Sequence, residues 1–182
     1  MRLAITGSAG TGKSTLARRL ADVLGLPLIG EGMREYLERT GQDLHALGDV
    51  GLRQLVLQLW EERQEAEQRA VRGFVSDRCS YDHAAFWLYY RFARDDEVTR
   101  HHLRVTLDPT RYDHIFLLPW GQIPLVADGI RTADRYVQLH LQLLIEGFLR
   151  QPDGTGRVPK VWSVSSPGLE DRLVEVRAAL TG

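Results

Sequence analysis

Short apolar runs alternate along the chain with longer segments in which apolar residues recur at helical spacing. The apolar runs, bounded by turn residues, predict five β-strands at about residues 2–6, 27–31, 74–76, 114–118 and 160–164. The amphipathic segments predict helices over about residues 13–24, 32–40, 49–71, 80–93, 95–108, 132–150 and 168–180. Because strands and helices alternate, the pattern predicts an α/β fold in which helices cover both faces of a parallel sheet.

The composition is typical of a single globular domain, which we expect to span residues 1–182. Apolar residues make up 43% of the chain and charged residues 26%. The net charge of −1 disfavours an extended nucleic-acid groove, and the lack of any run of about 18 apolar residues disfavours a membrane span. Cys79 stands alone, which excludes an internal disulfide, and because a strand begins at residue 2 we expect no signal peptide. These features predict a cytoplasmic protein.

A glycine-rich segment at residues 7–14 (GSAGTGKS) matches the P-loop pattern G-x-x-x-x-G-K-[ST] between the first strand and the first helix. Glycines allow main-chain N–H groups to turn inward around a phosphate, and the helix adds the partial positive charge of its N-terminus. Lys13 is expected to reach the β- and γ-phosphates, and Ser14 to bind Mg²⁺. The predicted nucleotide-binding residues are Gly7, Ser8, Ala9, Gly10, Thr11, Gly12, Lys13, Ser14 and Thr15.

Charged residues follow the second and third strands where each strand ends. Glu31 and Arg34 come after strand two, and Asp77 and Arg78 come after strand three. Such positions line the ligand site of parallel sheets, so these residues are candidates for acceptor binding. Asp77 can hold Mg²⁺ or take a proton from an acceptor hydroxyl, and Arg78 can carry phosphate charge. The alternatives are an exposed amphipathic helix for the first pair and a structural ion pair for the second.

Two arginines predict a lid over the phosphates at about residues 120–136. Arg131 and Arg135 are four residues apart, which puts both on one face of a helix, where they can balance transition-state charge. The alternative for this pair is a solvated helix face. Near the strand ends, Tyr81 and Trp120 can stack on a ring of the acceptor, and a place in the core is the alternative for these aromatic residues.

Four signatures together resemble the small P-loop nucleoside kinases, and most of all the ribosylnicotinamide-kinase-like ATPase domain, also labelled AAA_28. They are residues 7–21 around the P-loop, residues 31–37, residues 75–78 followed by Asp82, and residues 128–131. The resemblance implies a three-layer P-loop NTPase fold with sheet order 2-3-1-4-5 and a helical lid, together with the use of ATP and Mg²⁺. It also implies Glu31 or Asp77 as general base, Arg78 near the acceptor hydroxyl, and residues 165–168, Pro167 among them, against adenine.

The residue after Asp77 favours phosphoryl transfer over hydrolysis, because Arg78 stands where a hydrolase would carry a water-activating glutamate. The first hypothesis is therefore an ATP-dependent kinase that acts on a hydroxyl of a nucleoside-like small molecule, as a monomer or homodimer. The second is a regulatory ATPase that switches a protein partner when the γ-phosphate is lost. The third is a kinase for polynucleotide ends.

Overall fold

A parallel sheet forms the middle layer of the protein. The structure is a computed structural model that describes residues 1–30, 32–42, 44–124 and 134–181, apart from the side chains of residues 34, 44 and 45. The strands are β1 (Arg2–Thr6), β2 (Leu28–Ile29), β3 (Phe74–Asp77), β4 (His114–Leu117) and β5 (Val161–Ser163). Their order in the sheet is β2-β3-β1-β4-β5. The predicted fold class and the sheet order implied by the resemblance are confirmed.

Helices connect the strands and cover the sheet. They are α1 (Lys13–Leu24), α2 (Met33–Thr40), α3 (Gly48–Arg69), α4 (Ser80–Tyr89), α5 (Glu97–Thr106), α6 (Arg135–Leu149) and α7 (Leu169–Thr181), with a 3₁₀ helix at Leu44–Leu47. The first helix has its predicted bounds, because Gly25 adopts the left-handed conformation at φ 62° that closes a helix. Among the helices of the described ranges, none is long and apolar enough to cross a bilayer.

Helix α4 ends four residues earlier than the apolar pattern predicts. The chain turns at Arg91, whose φ of 58° is left-handed, and the N–H of Phe92 donates to the carbonyl of Trp87 at 3.0 Å. The Phe92 ring then packs against the Trp87 ring, with centroids 5.5 Å apart. An apolar residue that prolongs the helical pattern in the sequence therefore belongs to the turn that ends the helix.

Helix α6 begins at Arg135, three residues later than predicted. The side chain of Asp134 accepts hydrogen bonds from the N–H groups of Tyr136 and Val137, at 2.8 and 3.3 Å, and so caps the helix. Most of the predicted lid, residues 125–133, lies outside the described residues.

Separate apolar clusters fill the two faces of the sheet, because successive strand residues point to opposite sides. Leu3 and Ile5 of β1 pack with α1 and α7, while the intervening Ala4 packs with residues of α4 and α6. The three-layer arrangement follows from this alternation.

The central strands end side by side at one edge of the sheet. β1 pairs with β3 so that Ile5 lies opposite Asp77, and with β4 so that Thr6 lies opposite Leu117. The loop that follows β1 and the residues that follow β3 are therefore neighbours.

Candidate active site

The loop between β1 and α1 has the backbone shape that the phosphate-binding pattern requires. Gly7, Gly10 and Gly12 have φ angles of 132°, 75° and 86°, a region that residues with a Cβ rarely adopt. Gly12 caps the N-terminus of α1, and the first turn of that helix contains no acidic residue. The partial positive charge of the helix is therefore left to attract an anion.

The side chain of Lys13 lies across this loop. It is 4% exposed, and its Nζ donates to the carbonyl oxygen of Ser8 at 2.5 Å. The hydroxyl of Thr11 donates to the same carbonyl at 3.0 Å. A phosphate in the loop would therefore lie within reach of the ammonium group. Ser14 is half-buried and Thr15 is exposed in the first turn of α1.

Two glutamines of α6 bind the first residues of the loop. Oε1 of Gln138 accepts a hydrogen bond from the N–H of Ala9 at 3.0 Å, and Oε1 of Gln142 accepts one from the N–H of Ser8 at 2.8 Å. Nε2 of Gln142 in turn donates to the carbonyl of Leu118 at the end of β4, at 3.3 Å. The helix that follows the predicted lid is thus joined directly to the nucleotide loop.

The end of β3 presents a buried acid. Asp77 is 5% exposed, and its Oδ1 has no hydrogen-bond partner among the described residues. A buried carboxylate oxygen is costly unless a partner satisfies it, and carboxylate and hydroxyl oxygens are ligands that Mg²⁺ prefers. Asp77 ends β3, and Ser14 lies in the first turn of the helix that follows the neighbouring β1, so both oxygens suit the predicted ion.

Arg78 forms a buried ion pair with Asp82. Its Nη1 lies 3.0 Å from Oδ1 of Asp82, and the side chains are 6% and 0% exposed. Oδ2 of Asp82 accepts further hydrogen bonds from the hydroxyl of Thr6 at 2.6 Å and from the N–H of Cys79 at 2.8 Å. Burial, with the charge of Asp82, raises the pKa of the Cys79 thiol, which is consistent with an inert cysteine. The ion-pair partner that the structure gives Arg78 is therefore Asp82, one helical turn further along the chain.

The backbone at Arg78 is strained. Its φ of 79° is in the left-handed region, which costs a residue with a Cβ about 1 kcal/mol. The surrounding contacts hold this conformation: the N–H of Arg78 donates to the carbonyl of Ile5 at 2.9 Å, and its guanidinium lies 5.0 Å from the ring centre of Phe86. Such strain is found where structure fixes a side chain for function.

A second buried arginine, Arg63 of α3, braces the ends of β2 and β3. It is 5% exposed, and its guanidinium donates to the carbonyls of Gly30, Asp77 and Arg78 at 2.7, 3.0 and 3.3 Å, as well as to the hydroxyl of Ser76. This residue was not among the candidates predicted from the sequence. The sequence pattern that could have identified Arg63 is its position four residues after Leu59, which places a charged residue on the apolar face of α3.

The aromatic candidates have different positions. Tyr81 is 1% exposed and belongs to the core cluster between the sheet and the helices α4 and α6. This place in the core is the alternative to stacking on an acceptor that the sequence left open for Tyr81. Trp120 is half-buried, and the exposed guanidinium of Arg135 lies 5.1 Å from its ring centre. Trp120 and Arg135 therefore meet at the start of α6.

The remaining candidates are partly outside the described residues. Glu31 and Arg131 are not described, and of Arg34 only the backbone is, within α2. Pro167 is exposed in the loop between β5 and α7. Three further features of the site were not predicted from the sequence: Asp82 as the partner of Arg78, the glutamines of α6, and Arg172 of α7, which contacts the nucleotide loop.

Comparison with known proteins identifies the family. The family model of AAA_28, an AAA domain, matches residues 2–163. The chain belongs to this family. A cytidylate kinase from Pyrobaculum aerophilum is 30% identical to this AAA_28 chain over 109 residues, 56% of the chain and 59% of the relative. The chain therefore spans about six tenths of the length of this curated relative.

Solved structures of similar fold extend over the whole AAA_28 chain. A deoxyadenosine kinase from M. mycoides has a TM-score of 0.67 and 16% identity, covering 100% of this chain and 99% of its own. A thymidylate kinase from Candida albicans has a TM-score of 0.61 and 15% identity, covering 98% of this chain and 90% of its own. At these identities the likeness establishes a common fold.

Proposed function

We propose that the chain is an ATP-dependent kinase that transfers a phosphoryl group to a hydroxyl of a nucleoside or nucleoside-like small molecule. The observation that carries the proposal is the pairing of β1 with β3, which sets the loop of Lys13 beside the strand end of Asp77 and Arg78. A loop suited to a triphosphate and an acid–arginine pair suited to its acceptor then share one edge of the sheet. The kinases among the relatives support ATP-dependent phosphorylation of a nucleoside-like substrate.

The nucleotide side of the proposed site is residues 7–15, with Pro167 toward adenine. Main-chain N–H groups of the loop after Ala9 would hold the phosphates, because those of Ser8 and Ala9 donate to the glutamines of α6. Lys13 would balance charge on the β- and γ-phosphates. Asp77 and Ser14 are the residues that would hold Mg²⁺. When bound, the ion supplies neutralisation of phosphate charge.

The acceptor side would consist of Glu31, Arg34, Arg78 and Trp120. Glu31 or Asp77 would orient the acceptor hydroxyl and take its proton, and the lid arginines Arg131 and Arg135 would balance charge on the transferred group.

Charge balance favours a hydroxyl acceptor over an acceptor phosphate. Asp82 neutralises Arg78 at 3.0 Å, so this arginine brings little net positive charge to the acceptor side. The deoxyadenosine kinase of similar fold was solved with the products dCMP and dCDP, which supports an acceptor of the nucleoside class here.

The test is ADP formation in the presence of a panel of nucleosides, nicotinamide riboside and nucleoside monophosphates, with products identified by mass spectrometry. We expect release that depends on a nucleoside and gives its monophosphate. Lys13→Ala should lower turnover by about two to three orders of magnitude, because it removes charge that stabilises the transition state. Lys160→Ala is the matched control, since Lys160 is exposed and lies over the ring of Trp162.

Two results would contradict the proposal. ADP release that no acceptor stimulates would favour the regulatory ATPase, and release stimulated by monophosphates alone would exclude the hydroxyl acceptor. Equal turnover of the Lys13→Ala variant and the parent chain would contradict the mechanism.

A further inference from the structure

The last helix, α7, sets a buried arginine against the nucleotide loop. Arg172 is 2% exposed, and its Nη1 donates to the carbonyl of Thr11 at 2.7 Å, while its Nε donates to the carbonyl of Ser166 at 2.6 Å. Burial lowers the pKa of Arg172, and the hydrogen bonds offset part of the cost of removing the guanidinium from water. A single side chain therefore joins the nucleotide loop to the loop after β5.

Glu175, nearly one turn further along α7, binds the loop after β5 through its main-chain donors. The Glu175 carboxylate accepts hydrogen bonds from the N–H groups of Ser166 and Ser165, each at 2.8 Å. Hydrogen bonds from these two serines lower the pKa of Glu175. We call Arg172 and Glu175 the α7 clamp. Gln122, in the loop after β4, also contacts the loop after β5, because its Nε2 donates to the carbonyl of Ser165 at 2.6 Å.

Arg172 also sets the direction of a main-chain donor in the nucleotide loop. The C=O and N–H of a trans peptide point in opposite directions, and no described peptide bond is cis. A Thr11 carbonyl that faces Arg172 therefore turns the N–H of Gly12 toward the other side of the loop. The positive guanidinium polarises this peptide and strengthens the Gly12 N–H as a donor to an anion.

We propose that Arg172 is a positioning residue for the nucleotide, which aims the Gly12 N–H at a phosphate and fixes residues 165–168 relative to the nucleotide loop so that base and phosphates bind together. The inference rests on the proposed function, because it takes ATP as the ligand. Two loops that are already fixed relative to each other lose less conformational freedom when one ligand spans them. The α7 clamp should thus increase the affinity of the protein for ATP more than its affinity for tripolyphosphate, which lacks the base.

The test compares the dissociation constants of Mg²⁺–ATP and Mg²⁺–tripolyphosphate by isothermal titration calorimetry. For Arg172→Met we expect ATP affinity to fall about tenfold, as is common when hydrogen bonds from a charged group are lost, and tripolyphosphate affinity to fall clearly less. Arg177→Met is the matched control, because Arg177 is exposed on the same helix, and it should change neither constant.

A second variant separates geometry from charge. Arg172→Lys keeps the positive charge but lacks the planar fork that spans two carbonyls, so it should behave like Arg172→Met. If the methionine variant does not fold, as judged by circular dichroism, Glu175→Gln gives the same comparison, since it weakens the hold on Ser165 and Ser166.

The outcomes distinguish the inference from the proposed function. A parent chain that binds no ATP would overturn the proposed function and the inference with it. If the parent chain binds ATP, unchanged ATP affinity in the folded Arg172 variants would overturn the inference alone. An equal fall for ATP and tripolyphosphate would overturn the joining of the two loops, because loss of the Gly12 donor by itself weakens both ligands. An ATP affinity of Arg172→Lys equal to that of the parent chain would likewise exclude a role of Arg172 in joining the two loops.

Discussion

The carboxylate of Asp82 and the guanidinium of Arg78 form an ion pair of 3.0 Å at the carboxyl edge of the sheet, buried from solvent and four residues apart in the chain. The same carboxylate also accepts from Thr6 at the end of β1. A single acid thus connects the strand that leads into the nucleotide loop with the arginine on the acceptor side. The position of Arg78 depends on this connection.

Asp82→Asn should destabilise the protein. The amide would direct N–H donors at the donors of Arg78, Thr6 and Cys79, and the buried guanidinium would lose its ion pair with residue 82, at a cost of about 3 kcal/mol in the free energy of unfolding. Asp95→Asn is the control, because Asp95 forms an ion pair with Arg100 in which the side chains are 99% and 65% exposed. That change should cost less than about 1 kcal/mol. Equal losses in denaturant unfolding would contradict this account.

Asp77→Asn should separate activity from stability. Because Oδ1 of Asp77 lacks a hydrogen-bond partner among the described residues, removal of its charge should leave the free energy of unfolding unchanged or higher. Turnover should fall by about two orders of magnitude, since the proposed ion ligand or base is lost. Mg²⁺ titrations of ADP formation, alongside denaturant unfolding, measure both effects. A large loss of stability would indicate a structural carboxylate instead.

Gly12→Ala should weaken nucleotide binding, whereas a Gly→Ala change of similar backbone strain elsewhere in the chain should not. At a φ of 86° a Cβ would lie 2.8 Å from Nη1 of Arg172, so the guanidinium must leave the carbonyl of Thr11. Gly25→Ala is the control, because at a φ of 62° its Cβ meets no atom within 4 Å. Each change should cost about 1 kcal/mol in backbone strain, but only the first should raise the dissociation constant of ATP. Parallel calorimetry and thermal unfolding compare the two variants.

The free energy of unfolding should fall as the pH drops from about 6.5 toward 4. Burial lowers the pKa of His102 to about 4, and burial with the charge of Arg63 also lowers that of His83. The unfolded chain binds these protons first, so acid favours unfolding, by at most about 1.4 kcal/mol per pH unit for each histidine.

His102→Phe tests this dependence, since the ring would keep its contact with Trp87, whose centroid is 4.5 Å away. Denaturant unfolding at several pH values should give a shallower slope in the variant than in the parent chain. His101→Gln, on the exposed side of the same helix, is the control. A slope that does not change in His102→Phe would assign the acid sensitivity to other groups.

Local patterns in the sequence were sufficient for the order of strands and helices, because period-two and helical spacing reflect which faces are buried. They were less reliable at the ends of elements. Phe92 prolongs the apolar pattern of α4, yet it packs on Trp87 only after the left-handed turn at Arg91. The side chain of Asp134 starts α6 where apolar spacing alone suggested an earlier beginning.

The polar partners of the candidate site could not be derived, because each hydrogen bond joins distant parts of the chain. Arg63, Gln138, Gln142 and Arg172 are all buried on helix faces that otherwise bear apolar residues. A polar residue at such a position signals a partner across the interface, since its burial is costly without one. Which partner it is depends on the packing of helices against the sheet, as with Arg172 and the carbonyl of Thr11, 161 residues apart.

The amide oxygens of Gln138 and Gln142 satisfy the Ala9 and Ser8 donors from within the chain. Intramolecular contacts therefore fix the shape of the nucleotide loop before a ligand binds. Binding to such a preorganised loop should be limited by diffusional encounter and by desolvation of the phosphates, and not by a slow ordering step.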